Sequence, residues 1–182
     1  GVLPIIKHIP GHGRAGVDSH KGLPHVATAR GELAKHDFAP FRALAARGAP
    51  EPWAMTAHVV YESIDAQAPA TLSPRLIDEV IRGDIGFRGV IISDDLSMGA
   101  LSGAFDQRAA RALAAGCDLA LHCNGNLDEM TAVAAGCTMI GADTEARLAR
   151  SLGALKPAQD FDAVAALAEM NELLSLAGRV AS

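Results

Sequence analysis

Val90-Ile91-Ile92-Ser93-Asp94-Asp95 is the stretch that decides the fold. Three β-branched apolar residues in a row, without polar alternation, suit a strand covered on both faces, as in a parallel sheet. Two carboxylates close the run. Leu119-Ala120-Leu121 repeats the continuous pattern. With its flanks and two more apolar runs it gives four strand segments, at 2–8, 53–61, 89–93 and 118–123. Gly1-Val2-Leu3-Pro4-Ile5-Ile6 reads as core strand from the first residue, so we expect a piece of a longer chain.

Helical patterns fill the intervals. Segment 40–47 carries apolar residues at Phe41, Leu44 and Ala45. Segment 73–82 opens with Ser73 at the N-cap and Pro74 at N1, and carries Leu76, Ile77 and Val80 on one face. Segment 105–115 ends at Gly116 and 126–135 ends at Gly136, both expected as C′ glycines. Helices over 144–155 and 161–176 complete the pattern. Strand–helix alternation predicts an α/β fold with a parallel sheet. A complete (β/α)₈ barrel takes about 250 residues, with roughly 200 as a floor. Four strands in 182 residues therefore fit an open four- to five-stranded sheet or half of a barrel.

The 16 basic and 21 acidic side chains leave a net charge of −5, with no block of like sign. That balance argues against a nucleic-acid partner, which favours a basic patch or stripe. Apolar residues at 49% describe a globular chain. No apolar run approaches the roughly 20 residues of a membrane helix, and no signal peptide opens the chain. Cys117, Cys123 and Cys137 are odd in number and form no CxxC, which argues against disulfides and zinc. A cytoplasmic chain with reduced thiols is the expectation.

Polar residues gather just after the strand ends, where α/β folds place their sites. They are the loop from Lys7 and His8 to His20, then His58, then Ser93 to Ser97, then His122 and Asn124. Gly11-His12-Gly13-Arg14-Ala15-Gly16 formally matches G-x-G-x-x-G. No helix can open at its last glycine, because Gly22 and Pro24 follow closely, so a dinucleotide site is not expected. His8, His12, His20 and His25 could be imagined on a metal, but Pro10 and Gly11 keep His8 and His12 off a shared helix face. Asp18-Ser19-His20 lets a carboxylate turn back onto an imidazole and fix its tautomer, making His20 a candidate general acid/base. Asp94 and Asp95 point oppositely at a strand end, so one can enter the site as nucleophile while the other packs behind it.

These motifs resemble one family. Lys7-His8-Ile9-Pro10-Gly11-His12-Gly13 followed by Asp18-Ser19-His20 is similar to the catalytic loop of glycoside hydrolase family 3 β-N-acetylglucosaminidases, with Ile9 in place of the usual Phe. Gly86 to Met98 resembles that family's nucleophile segment. Met55-Thr56-Ala57-His58-Val59 and Leu121-His122-Cys123-Asn124 agree with it as well, and the likeness spans about residues 1–150.

The resemblance implies a (β/α)₈ TIM barrel of which this chain holds roughly the last four β/α units plus a C-terminal helix, as one partial catalytic domain over 1–182. It implies Asp94 as covalent nucleophile, His20 paired with Asp18 as acid/base, and Lys7 and His8 as sugar-binding residues. His58 and Asp95 are expected behind them. The implied substrate is an N-acetylglucosamine-containing muropeptide in cytoplasmic peptidoglycan recycling, with no metal or organic cofactor. A half-barrel by itself would expose two sheet edges, which self-association could cover. Two other readings share the residues. One passes the sugar to phosphate, and the other is an inactive remnant or interaction module.

Overall fold

A computed structural model describes residues 2–48, 52–157 and 160–180. Strands β1 (Ile5–Ile9), β3 (Trp53–Thr56), β5 (Ile91–Asp95) and β6 (Leu119–Leu121) form one sheet in the order β1-β3-β5-β6, every pair parallel. Two short strands, β2 (His25–Val26) and β4 (Val60–Tyr61), form a second parallel pair. The helices are α1 (Arg30–His36), α2 (Ala39–Ala45), a short 3-10 helix (Ala70–Leu72), a π-helix (Leu76–Asp84), α3 (Phe105–Ala114), α4 (Leu127–Ala135), α5 (Ala142–Gly153) and α6 (Ala163–Val180). This is the strand–helix alternation of a partial TIM barrel, with the strand C-termini all at one end of the sheet.

β5 is the most covered strand of the four-stranded sheet, with Ile91 and Ser93 fully buried, as its unbroken apolar run requires. Ile77 and Ile81 of the π-helix, Phe87, Leu96 and Ala109 belong to the same buried cluster. β1 and β6 are the edges of the four-stranded sheet among the described residues and are only partly covered. Beneath the sheet Asp118 ties several elements. Its carboxylate accepts from Arg82 at 2.9 Å, Arg147 at 2.7 Å, Thr144 at 2.7 Å and the Ile91 amide at 2.8 Å.

Several boundaries differ from those read off the sequence. The first strand begins at Ile5, because Pro4 has no N–H to pair, and Val2 is exposed rather than core; Gly1 lies outside the described residues. The run at 53–61 divides into β3 and β4. Between them Ala57 still donates to the Ile9 carbonyl while His58 turns inward. Ser73 does cap the next helix, accepting the Leu76 amide at 3.1 Å, but the segment widens into a π-helix. Gly116 ends α3 with φ at 110°, as a C′ glycine does, whereas Gly136 closes α4 in right-handed geometry with φ at −84°. Asn126 caps α4 through the Asp128 and Glu129 amides. β2 and α1 have no counterpart in the sequence reading, since α1 buries only Leu33 and β2 has two residues.

Candidate active site

Lys7, His8, His12, Gly13, Asp18, Ser19, His20, Asp94 and Met98 line one cavity of about 440 Å³ at the strand C-termini. Such a volume suits a small polar ligand. Five residues singled out from sequence, Lys7, His8, Asp18, His20 and Asp94, thus meet around a single space.

Each is placed by its element. Asp94 sits near the end of β5 and is 7% exposed. Its Oδ1 accepts the Asp95 amide at 2.9 Å, and its Oδ2 faces His8 Nε2 at 3.5 Å. One oxygen is therefore held by backbone, and the other is available toward the cavity. His8 lies on β1, and burial pushes its imidazole below the ordinary histidine range despite the opposing pull of Asp94. Its neutral form avoids neutralising Asp94. The Lys7–His8 and Ile9–Pro10 peptide bonds are cis.

Asp18 and His20 form a closed local pair. The Asp18 carboxylate accepts the His20 amide at 3.0 Å and His20 Nδ1 at 2.8 Å. These two bonds hold Asp18 below the usual carboxylate range. A carboxylate only accepts, so Nδ1 carries the proton and Nε2 is the free nitrogen. An imidazole with one nitrogen fixed and one free can exchange a proton in a defined direction. His12 reaches the same loop, its Nε2 3.3 Å from Ser19 Oγ.

His58 and Asp95 stand behind the cavity, not in it. His58 is fully buried, and burial pushes its pKa down. Its Nε2 lies 3.0 Å from the Asp95 carbonyl and its Nδ1 2.7 Å from Thr71 Oγ1. A carbonyl cannot donate, so Nε2 carries the hydrogen and Nδ1 accepts from Thr71. Thr71 in turn meets Thr56 Oγ1 at 2.8 Å, and Thr56 Oγ1 accepts the Asp94 amide at 3.3 Å. One directed chain therefore runs from the Asp94 N–H through Thr56, Thr71 and His58 to the Asp95 carbonyl. It fixes the backbone on both sides of the Asp94 side chain.

Asp95 points the other way. Its carboxylate takes Ser97 Oγ at 2.6 Å, the Ser97 amide at 3.0 Å and the Cys123 amide at 3.2 Å. Burial pushes this group up, but those hydrogen bonds prevail and hold it below the usual range. Asp95 thus joins the turn after β5 to the turn after β6.

Other strand-end residues fall outside the cavity. His122 is buried edge-on against Phe105 at 5.2 Å, with Glu129 Oε2 3.3 Å from its Nε2. Asn124 bonds Glu129 and supports the α4 cap. His25 faces Glu62 at 3.2 Å and does not line the cavity that His8, His12 and His20 share. No group of three His, Cys, Asp or Glu side chains is arranged to hold a metal ion among the described residues. No helix among them is long and apolar enough to cross a membrane. Sequence reading included Thr56 and Met98 only as members of longer segments and missed Thr71. Thr71 lies 15 and 13 residues from Thr56 and His58, so no local spacing could have joined them.

Comparison with known proteins gives this geometry a context. The sequence model described as the glycosyl hydrolase family 3 N terminal domain matches residues 1–152. The beta-hexosaminidase of Alkalilimnicola ehrlichii is 47% identical over 126 residues, covering 68% of this chain and 35% of that protein. The beta-hexosaminidase of Pseudomonas aeruginosa is 44% identical over 137 residues, covering 74% of this chain and 40% of that protein. The chain thus spans well under half the length of these relatives. Among solved structures, native NagZ from Neisseria gonorrhoeae aligns with a TM-score of 0.72 at 38% identity, covering 86% of this chain and 44% of that one. A family 3 beta-N-acetylglucosaminidase from Paenibacillus aligns at 0.71 with 31% identity, covering 89% of this chain and 34% of that one. With its parallel strands, its family match and these relatives, the chain belongs to glycosyl hydrolase family 3.

Proposed function

We propose that this chain carries the catalytic residues of a retaining β-N-acetylglucosaminidase that removes terminal non-reducing N-acetylglucosamine from muropeptides in cytoplasmic peptidoglycan recycling. The observation that carries the reading is the meeting of Asp94 with the Asp18–His20 pair around one cavity of about 440 Å³. Support for the substrate class comes from relatives named beta-hexosaminidase and from a NagZ structure in complex with N-trifluoroacetyl-D-glucosamine.

The chemistry follows in two displacements. Asp94 Oδ2 attacks the anomeric carbon as the bond to the leaving oxygen breaks, and the His20 imidazolium, protonated on both nitrogens, gives that oxygen its Nε2 proton. A glycosyl ester on Asp94 and a neutral imidazole result. Water then gives a proton back to Nε2 while its oxygen attacks the same carbon, releasing the Asp94 carboxylate and the sugar with its configuration retained. Asp18 holds the His20 tautomer and stabilises the imidazolium. Lys7 and His8 orient the sugar hydroxyls.

The test is hydrolysis of an aryl β-N-acetylglucosaminide by the chain, with Asp94→Asn as control. Retention of configuration in the product, and turnover abolished in the variant, are expected. Sugar 1-phosphate formed in phosphate buffer would instead select phosphorolysis. Turnover unchanged in Asp94→Asn would remove Asp94 from the chemistry.

A further inference from the structure

The loop carrying Asp18 and His20 is tied by backbone to the segment that leaves β5. Ala100 N–H donates to the Ser19 carbonyl at 3.1 Å, and Gly99 N–H donates to the His20 carbonyl at 3.3 Å. Both donors follow Asp94 closely on the same chain. Ser19, between the two members of the pair, is only 5% exposed, while the side chains of Asp18 and His20 are 53% and 75% exposed. Ser19 is thus the buried foot of the loop, and Asp18 and His20 project on either side of it.

The segment beneath is well braced. Met98 N–H donates to the Asp95 carbonyl at 3.2 Å and Leu101 N–H to the Met98 carbonyl at 3.2 Å. Arg108 Nη1 donates to the Leu96 carbonyl at 2.7 Å. Met98, Ala100 and Leu101 are buried. Gly99 faces the loop beside the Ala100–Ser19 hydrogen bond. A Cβ there would stand 2.8 Å from the His20 carbonyl oxygen and 3.5 Å from Lys21 backbone atoms. Gly99 does not have a positive φ, so its own backbone would accept a side chain. The need for glycine there comes from the approach of His20.

We propose that Gly99 is a positioning residue: together with the Ala100 amide it forms a seat that holds the Asp18–His20 pair at a fixed place relative to Asp94, and a side chain at 99 unseats the pair without touching the substrate. The inference rests on the reading of His20 as acid/base.

Two measurements on the full chain test it, with Gly99→Ala as the variant. The first is hydrogen exchange. The Ala100 amide should exchange at least about tenfold faster in Gly99→Ala, as local opening predicts. The Leu96 amide, bonded to the Leu121 carbonyl at 2.9 Å, should be unchanged. Gly16→Ala, where a Cβ meets nothing within 4 Å, should leave both alone. Unchanged Ala100 exchange in Gly99→Ala would overturn the seat.

The second is a leaving-group split. An alkyl β-N-acetylglucosaminide needs the proton from His20, whereas a dinitrophenyl glycoside does not. In Gly99→Ala, kcat/KM for the alkyl substrate should fall about tenfold or more, with the dinitrophenyl value within about threefold of the parent. Equal losses on both substrates, or no loss on either, would overturn the positioning role. His20→Ala separates the two readings. If His20→Ala shows no split, the acid/base assignment fails, and hydrogen exchange still judges the seat. If His20→Ala shows the split and Gly99→Ala does not, the seat alone fails.

Discussion

Replacing Thr71 with valine should cost far more than the loss of one oxygen suggests. The side chains have nearly the same shape, so packing around residue 71 is kept. What goes is the hydroxyl in contact with His58 Nδ1 at 2.7 Å, Thr56 Oγ1 at 2.8 Å and the Ala57 carbonyl at 3.1 Å. Thr71, His58 and Thr56 are all fully buried, so water cannot replace the missing partner. The imidazole nitrogen loses its donor and the Thr56 hydroxyl loses the acceptor of its proton while still accepting the Asp94 amide, and a buried unsatisfied polar group costs about 1–3 kcal/mol. Together they predict a destabilisation of about 2–4 kcal/mol, or a Tm lowered by roughly 5–15 °C for a chain of this size. Thr71→Ser keeps the hydroxyl and should recover most of the loss, apart from the cost of a methyl-sized cavity. Urea unfolding followed by fluorescence of Trp53, the only tryptophan, gives both values. Thr71→Val within about 0.5 kcal/mol of the parent, the range of an ordinary surface change, would refute the directed chain behind Asp94.

Three further outcomes follow from other parts of the molecule. Asp118→Asn keeps the shape of the side chain but leaves Arg82 buried without its opposite charge, and should destabilise by about 3 kcal/mol or more in the same assay. Burial holds His58 below its ordinary value of 6.5, so near and below that pH the unfolded chain binds a proton that the native chain does not. Stability should therefore fall as pH drops through 6.5, by up to about 1.4 kcal/mol per pH unit from this residue, and His58→Gln should flatten the slope. Cys117 is buried with its thiol pushed up to about 12, so a thiol reagent should modify the exposed Cys123 and Cys137 in the native chain and Cys117 only on unfolding.

The parts of this molecule that were legible in its sequence are those set by short-range pattern. Val90-Ile91-Ile92 announces a strand buried on both faces because no polar residue interrupts it, and β5 is such a strand. Asp18 and His20 stand two apart, close enough for a turn to join carboxylate and imidazole, and they are joined. Opposite pointing of Asp94 and Asp95 follows from strand geometry alone. What the pattern could not supply was set by distant partners. The break at Ala57 and His58 arises because His58 is drawn to Thr71 and the Asp95 carbonyl, while an apolar flank on each side reads as one strand. His122 sits at a strand end like the site residues, but its ring packs edge-on against Phe105, outside the cavity. Gly99 carries no local sign of its role, since the atom it accommodates belongs to His20.

The most direct test of the central claim is to trap the sugar on the nucleophile. In His20→Ala, a dinitrophenyl β-N-acetylglucosaminide can still glycosylate the chain, while water lacks the base that completes the second displacement, so the intermediate should accumulate. Acid quenching, proteolysis and mass spectrometry would then locate the adduct. One N-acetylglucosaminyl group on Asp94, lost in the His20→Ala, Asp94→Asn double variant, is the predicted result. An adduct on Asp95 or elsewhere, or turnover without any adduct, would contradict the account.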